Sequence, residues 1–307
     1  MVVAFTIVTL AACTNAVSHT RAEATPTPPT PATTATPSTV ATPAPTPATT
    51  LAACAAAVTR TALRVVHRFS VSPDDIAIDA SGRLWVSARE VDALISLNPD
   101  GGGVATATVP GGPEGVAIAA AATYVAEQNV NAIEQITPQR RRVMTFPNHT
   151  ANAGIDGIAL GASGQTLLIP DSPNGTLLEL SLIGPPRQRV IATQLGRPVS
   201  AAPGPGGDIF VASESSPGLV VVTSTGAVRA IGGFNDLDEV VAYAGLLYVT
   251  ELNRHDVLAV DPASGASVRL AFNLPAPQGL AVTASGILEI VDATTDTLYS
   301  LPACGVA

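Results

Sequence analysis

Ile76-Ala77-Ile78-Asp79-Ala80-Ser81-Gly82-Arg83-Leu84-Trp85-Val86 is the stretch on which the fold turns. Two short apolar runs flank a tight turn of small residues, the pattern of a β-hairpin. The same hairpin returns as Leu280-Ala281-Val282-Thr283-Ala284-Ser285-Gly286-Ile287-Leu288-Glu289-Ile290-Val291. Its turn returns once more as Ala162-Ser163-Gly164. Further first strands are read at Val116, Ile158, Ser200 and Val240. The period is about 40 residues, the length of one four-stranded unit of a radial repeat.

Each repeat continues in the same way. Second strands are read at Leu84-Trp85-Val86, Thr123-Tyr124-Val125, Ile209-Phe210-Val211 and Leu247-Tyr248-Val249. Third strands follow at Leu94-Ile95, Ala132-Ile133, Leu177-Leu178, Val220-Val221, Val257-Leu258 and Leu298-Tyr299. Turns such as Asn98-Pro99-Asp100-Gly101 lead into the fourth. The sixth repeat ends after its third strand, at Leu301, which would leave an open sheet edge. The segment Ala62-Leu63-Arg64-Val65-Val66-His67, just before the first repeat, supplies the missing strand. The fold class is therefore all-β: a six-bladed β-propeller of four-stranded antiparallel blades, with an N-terminal strand closing the last blade. Cys54 lies just before the borrowed strand and Cys304 just after the sixth blade's third strand, so ring closure brings them to one edge and predicts a disulfide.

Ahead of the repeats the chain changes character. Val2 to Ala12 is an apolar run, too short to span a bilayer comfortably, and reads as a signal-peptide core. Leu10-Ala11-Ala12-Cys13 resembles the bacterial lipobox, although no Lys or Arg precedes the apolar run. From Thr25 to Thr50 the sequence is Thr, Pro, Ala and Ser with one valine and no charge. Proline removes a donor and fixes φ, so this stretch forms neither helix nor ladder and reads as an extended tether. The expected organisation is a signal peptide over 1–12, a tether over 13–53 and the propeller over 54–307. Lipid on Cys13 would fix the protein to the outer surface of the cell membrane, or hold it in the periplasm. The net charge of −9 argues against polyanions, nucleic acid included.

Blade geometry predicts which acids meet. First strands start, and second strands end, at one face, here called the top. Asp74, Asp75, Glu114, Asp156, Asp238 and Glu239 stand at first-strand starts, and Glu127, Asp171, Glu214, Glu251 and Asp292 at second-strand ends. Arg140, Arg141 and Arg142 are expected toward the opposite, bottom face. Clustered carboxylates offer the hard oxygen ligands that Ca²⁺ or Mg²⁺ takes. Candidate metal ligands are Glu114, Asp156, Glu127, Asp171, Glu251 and Asp292. The competing reading is that each acid accepts backbone N–H groups in its own blade and caps a loop. Among the histidines, His149 and His255 fall in top-face loops, and His255 with Glu251 is the candidate base. No Gly-x-Ser-x-Gly elbow, phosphate-binding loop or His-Glu-x-x-His motif occurs.

Pro113-Glu114-Gly115-Val116-Ala117-Ile118 with Tyr124-Val125-Ala126-Glu127, and Pro277-Gln278-Gly279-Leu280-Ala281-Val282, resemble the repeats of the virginiamycin B lyase and NHL-repeat propellers. The gluconolactonase family is similar more distantly. The resemblance covers roughly Ser72 to Leu301 and implies the propeller fold. It also implies two chemistries at the top face. The lyases use a Pro-His pair at a first-strand start, where this chain has Pro277-Gln278, and a Glu where it has Asp292. The lactonases hold a divalent metal with Glu, Asp and Asn on the same face. Glutamine cannot relay a proton. The expectation is therefore a non-catalytic propeller that takes a small-molecule or envelope ligand through its acidic top. The alternative is a divalent-metal-dependent lactonase or lyase of small cyclic esters.

Overall fold

The computed structural model describes residues 51–58, 63–147 and 154–304. Cys13, His19 and His149 lie outside them. The described strands form six four-stranded antiparallel sheets, one per repeat. Blade 1 is β2 (Ile76–Ile78), β3 (Leu84–Ala88), β4 (Ala93–Leu97) and β5 (Ala105–Thr108). Blade 2 is β6 (Pro113–Ala119), β7 (Ala122–Glu127), β8 (Ala132–Gln135) and β9 (Arg141–Thr145). Blade 3 is β10 (Ala159–Leu160), β11 (Thr166–Asp171), β12 (Thr176–Ser181) and β13 (Gln188–Ala192). Blade 4 is β14 (Pro198–Pro203), β15 (Ile209–Ser213), β16 (Leu219–Val222) and β17 (Val228–Ala230). Blade 5 is β18 (Leu237–Tyr243), β19 (Leu246–Glu251), β20 (Asp256–Val260) and β21 (Ser267–Phe272).

Blade 6 carries β22 (Pro277–Val282), β23 (Ile287–Asp292) and β24 (Thr297–Pro302), and its fourth strand is β1 (Arg64–Arg68), paired antiparallel to β24. The ring is thus closed by the N-terminal strand, as the truncated sixth repeat requires. Cys54 and Cys304 are joined, with Cα atoms 4.5 Å apart. Both are buried, and the Cys304 N–H donates to Tyr248 Oη at 3.1 Å.

One element was not expected. Leu51–Val58 forms a helix, α1, where the composition suggests that the tether runs to residue 53. Cys54 packs with Leu246, Tyr248, Leu270, Leu288, Ile290 and Leu301, and Leu51 lies against the same cluster, in the seam between blades 5 and 6. The run Leu51-Ala52-Ala53-Cys54 carries no proline, unlike the residues before it, so helix is allowed and the buried cysteine anchors it.

The core lies between blades, with buried residues on the inner strands and exposure growing outward. β4 is buried along its whole length, whereas β5 and β17 are exposed along theirs. In five of the six blades the turn between second and third strands shares one device, a residue in the left-handed region. Asp92, Asn131, Gly175, His255 and Asp296 occupy it, with φ of 52, 50, 62, 59 and 51°. Asn, Asp and Gly tolerate that conformation best, and His255 takes the same place in blade 5.

Candidate functional site: an acidic collar on the propeller axis

First strands enter the ring through an irregular step. In blades 2, 4, 5 and 6 the pairing with the second strand slips between Pro113 and Val116, Pro198 and Ser200, Leu237 and Val240, and Pro277 and Leu280. A bulge of this kind re-aims side chains, and the residues within it line the axis. The first position round the ring reads Asp74, Glu114, Asp156, Val199, Asp238 and Gln278; the second reads Asp75, Gly115, Gly157, Ser200, Glu239 and Gly279. The glycines are required by close approach. A Cβ on Gly115 would lie 2.6 Å from the Asp156 carbonyl oxygen, and one on Gly157 2.6 Å from that of Val199. Backbone bonds then tie neighbouring blades: Gly115 N–H to Asp156 O, Gly157 N–H to Val199 O and Gly279 N–H to Asp74 O, at 3.1, 2.8 and 2.9 Å.

The outcome is a collar of six carboxylates, Asp74, Asp75, Glu114, Asp156, Asp238 and Glu239, around a space of about 10 Å³. That is room for about one water-sized group. Two of the six are tied to backbone. Asp75 accepts from the Ile76 N–H at 2.6 Å and the Val116 N–H at 2.7 Å, and Glu239 accepts from the Val240 N–H at 2.9 Å and from the Ser200 hydroxyl. Asp156, Asp238 and Glu114 meet side chains. The Gln128 amide donates to Asp156 at 3.0 Å, and the Gln278 amide, turned to satisfy its neighbours, donates to both Asp238 oxygens at 3.1 and 2.9 Å. Arg89 stands 3.5 Å from Glu114 and Arg197 3.4 Å from Asp156, while Arg197 also pairs with Glu214. Glu114 is only 8% exposed, yet its Oε2 is buried without any hydrogen-bond donor.

Six acids and two arginines leave the collar short of positive charge. Burial, with Asp156 nearby, pushes Asp74 up to about 7. Burial pushes Asp75 to about 7 as well, against the pull of its two N–H donors. Burial raises Glu114 and Asp238 well above the usual carboxylate range, with Asp156 and Asp74 adding to it. Glu239 is raised by burial and then by Asp75. The group therefore holds protons at pH values where free carboxylates would not.

Below the collar the axis opens into a cavity of about 350 Å³. Apolar side chains line it, including Ile76, Val116, Ile158, Val240 and Leu280, although polar atoms contribute nearly as much of the wall as apolar ones, and Asp75 and Glu239 line both this shaft and the collar above it.

The second-strand acids behave differently. Asp292 accepts from the Ala276 and Thr295 N–H groups at 3.1 and 2.8 Å and from the Thr295 hydroxyl at 2.9 Å. Asp171 holds the Asn174 amide at 2.9 and 3.0 Å. Glu127 is clamped by Arg142 at 2.8 Å and Arg140 at 3.4 Å, and Arg140 also pairs with Glu134. Arg140 and Arg142 are thus engaged with carboxylates rather than forming a free basic patch. Glu251 has Arg254 at 3.6 Å. Of the six acids chosen from sequence as metal ligands, only Glu114 and Asp156 reach the collar; Glu127, Asp171, Glu251 and Asp292 serve their own blades. Among the described residues no three His, Cys, Asp or Glu side chains are placed to hold a metal ion together. Ca²⁺ takes six to eight oxygens and Mg²⁺ a strict octahedron, and here arginine and amide groups already engage Glu114, Asp156 and Asp238. The His255 ring is exposed and, among the described residues, forms no hydrogen bond or ion pair with Glu251.

Asp74, Asp75, Asp238 and Glu239 are the collar members that the sequence-based ligand set left out. The signal was a residue pair set between a Pro, Ile or Leu and the first strand: Pro73-Asp74-Asp75, Pro113-Glu114-Gly115, Ile155-Asp156-Gly157 and Leu237-Asp238-Glu239.

No protein-family model matches the chain, and no curated protein does. Solved structures do match. A gluconolactonase from Xanthomonas campestris aligns with a TM-score of 0.70 at 16% identity, covering 83% of this chain and 94% of its own. A virginiamycin B lyase from Staphylococcus aureus, catalytically inactive and with quinupristin, aligns with a TM-score of 0.59 at 12% identity, covering 80% and 90%. A streptogramin B lyase gives 0.58 at 14%, covering 78% and 97%. The likeness is one of fold. Lyases and gluconolactonases share this six-bladed ring, and at such identity the ring does not carry an activity with it.

Proposed function

We propose that the chain is a surface-displayed, non-catalytic propeller that captures a cationic ligand or envelope partner through its acidic top face. One observation carries this reading: the collar gathers six carboxylates, and Glu114 Oε2 is buried there with no donor. A buried acceptor without a partner is costly, and a cation arriving at the collar would satisfy it. His255, the candidate base, is exposed and fills a turn position rather than facing the collar acids. The donor set likewise gives no support to the alternative of a divalent-metal lactonase or lyase. We place the protein at the membrane through lipid on Cys13. Mass spectrometry of the membrane fraction checks that part, and a mature protein with an unmodified Cys13 would refute it.

Calorimetric titration of the full chain with ammonium, methylammonium, Ca²⁺ and Mg²⁺ tests the collar. Binding of at least one of them, weakened tenfold or more by Glu114→Gln, is the expected result. Absence of binding by all four at millimolar concentration would overturn it.

A further inference from the structure

The collar and the shaft below it are one continuous feature with two chemistries. The shaft's wall runs along the first strands from Asp75 to Ile78 in blade 1 and from Glu239 to Tyr243 in blade 5, with apolar side chains below the two acids. At about 3.3 Å per residue this is a shaft on the order of 10 Å long. At its head stand carboxylates in excess of cations, with one buried oxygen lacking any donor. A bare metal ion would answer the head and leave the apolar wall unused. A neutral apolar molecule would fill the shaft and leave the orphan acceptor as it is.

Resting on the cation-capturing reading above, we infer that the site takes a primary alkylammonium, its –NH₃⁺ group among the collar carboxylates and its hydrocarbon chain in the shaft. Three N–H donors on a compact head match what the collar lacks: donors. The head must be small, because the collar space holds about one water-sized group, which a quaternary ammonium exceeds. The shaft's 350 Å³ lies at the low end of small-molecule cavities, and its wall at Ala159 and Ala201 is cut back to methyl groups, which leaves room for a hydrocarbon chain. Burying methylenes against Ile76, Val116 and Leu280 then adds affinity with chain length.

The test uses the full chain at pH 8 and a set of simple probes: methylammonium, hexylammonium, hexyltrimethylammonium and hexanol. Hexylammonium is expected to bind at least tenfold more tightly than methylammonium, and at least tenfold more tightly than either hexyltrimethylammonium or hexanol. Glu114→Gln should weaken both primary amines, whereas Ala159→Leu, which narrows the shaft, should remove only the advantage of the longer chain. The wild-type chain-length series decides the matter even if Ala159→Leu fails to fold. Equal affinity for methylammonium and hexylammonium would overturn the shaft inference and leave the cation-capturing collar standing. Binding of Ca²⁺ or Mg²⁺ with no binding of any primary amine would do the same. If no cation binds, both readings fall.

Discussion

Glu114 and Asp292 share the top face, one at the start of a first strand and the other at the end of a second. Asp292 is fully buried and accepts three hydrogen bonds from its own blade. Glu114 is nearly as buried, has a partly exposed arginine at 3.5 Å, and keeps one oxygen with no donor at all. The difference follows from the backbone. The second strand of Asp292 ends in a tight turn whose Thr295 N–H and hydroxyl point back at the carboxylate, so the acid there closes the turn. The first strand of Glu114 starts in a bulge that turns the side chain toward the axis, where the neighbours are other acids. Burial and charge alone do not separate the two carboxylates, and neither does a missing donor, since Glu251 Oε2 and Glu289 Oε2 are orphaned as well. What sets Glu114 apart is an orphaned oxygen within a ring of other acids.

Glu289 extends the comparison to a third environment and gives the largest expected effect. It pairs with Ala281 and Ser300 in the middle of blade 6, where the corresponding second-strand residues are Trp85, Tyr124, Leu168 and Tyr248. It is 1% exposed, its Oε2 has no partner, and burial lifts its carboxyl to about 7 from an ordinary 4.5, with Arg64 opposing. A raised pKa means that the folded state favours the protonated form. The carboxyl therefore costs little below pH 4.5, its cost grows through the interval to about 7, and the full cost applies above it. Glu289→Leu should raise stability on the order of 3 kcal/mol at pH 8 and have little effect at pH 4. Urea denaturation at the two pH values checks this. A destabilised variant at pH 8 would show that the carboxylate is compensated.

Asp292→Ala should go the other way. Two backbone N–H groups and a hydroxyl lose their charged acceptor, at a cost of about 2 kcal/mol. A loss under 0.5 kcal/mol in the same denaturation experiment would erase the distinction between turn-closing and axial acids.

Much of this was legible in sequence, for a physical reason. Strand periodicity, Gly-rich turns and the truncated sixth repeat are local or additive signals, and they led to six blades closed by the segment around Arg64–Arg68. The Cys54–Cys304 pairing followed from closure itself. What sequence could not resolve was direction. Glu127 and Glu114 belong to the same blade and face, but only the bulge between Pro113 and Val116 turns the second one to the axis. A slip of this kind changes which side a residue faces while leaving the residue string unremarkable. Arg140 and Arg142 were expected only toward the bottom face. Their long side chains reach Glu127 from β9 and the turn before it, across β8, and strand position alone does not report reach. Helix α1 was missed because eight apolar residues carry no period that a tether reading would contradict.

The smallest expected effect probes the collar from the stability side. Asp238 lies beside Asp74, Asp75, Asp156 and Glu239, and burial followed by Asp156 and Asp74 raises its carboxyl well above the usual range. Since the folded state favours the protonated form, the sign is that of Glu289: the cost is absent at low pH and appears as pH rises through the raised value. Asp238→Asn keeps the shape and removes one like charge from the ring. Like charges facing across strands cost up to about 1 kcal/mol, so the variant should gain about 0.5–1 kcal/mol at pH 8 and nothing at pH 4. Gln278, whose amide donates to Asp238 at 2.9 and 3.1 Å, can still donate to the asparagine carbonyl. A titration of stability against pH reads the effect directly. If Asp238→Asn instead destabilises at pH 8 as Asp292→Ala does, the axial acids are structural caps like the others, and the collar loses its claim to a ligand. If it stabilises while weakening ammonium binding, stability and function are opposed at that residue, as a site shaped for a cation requires.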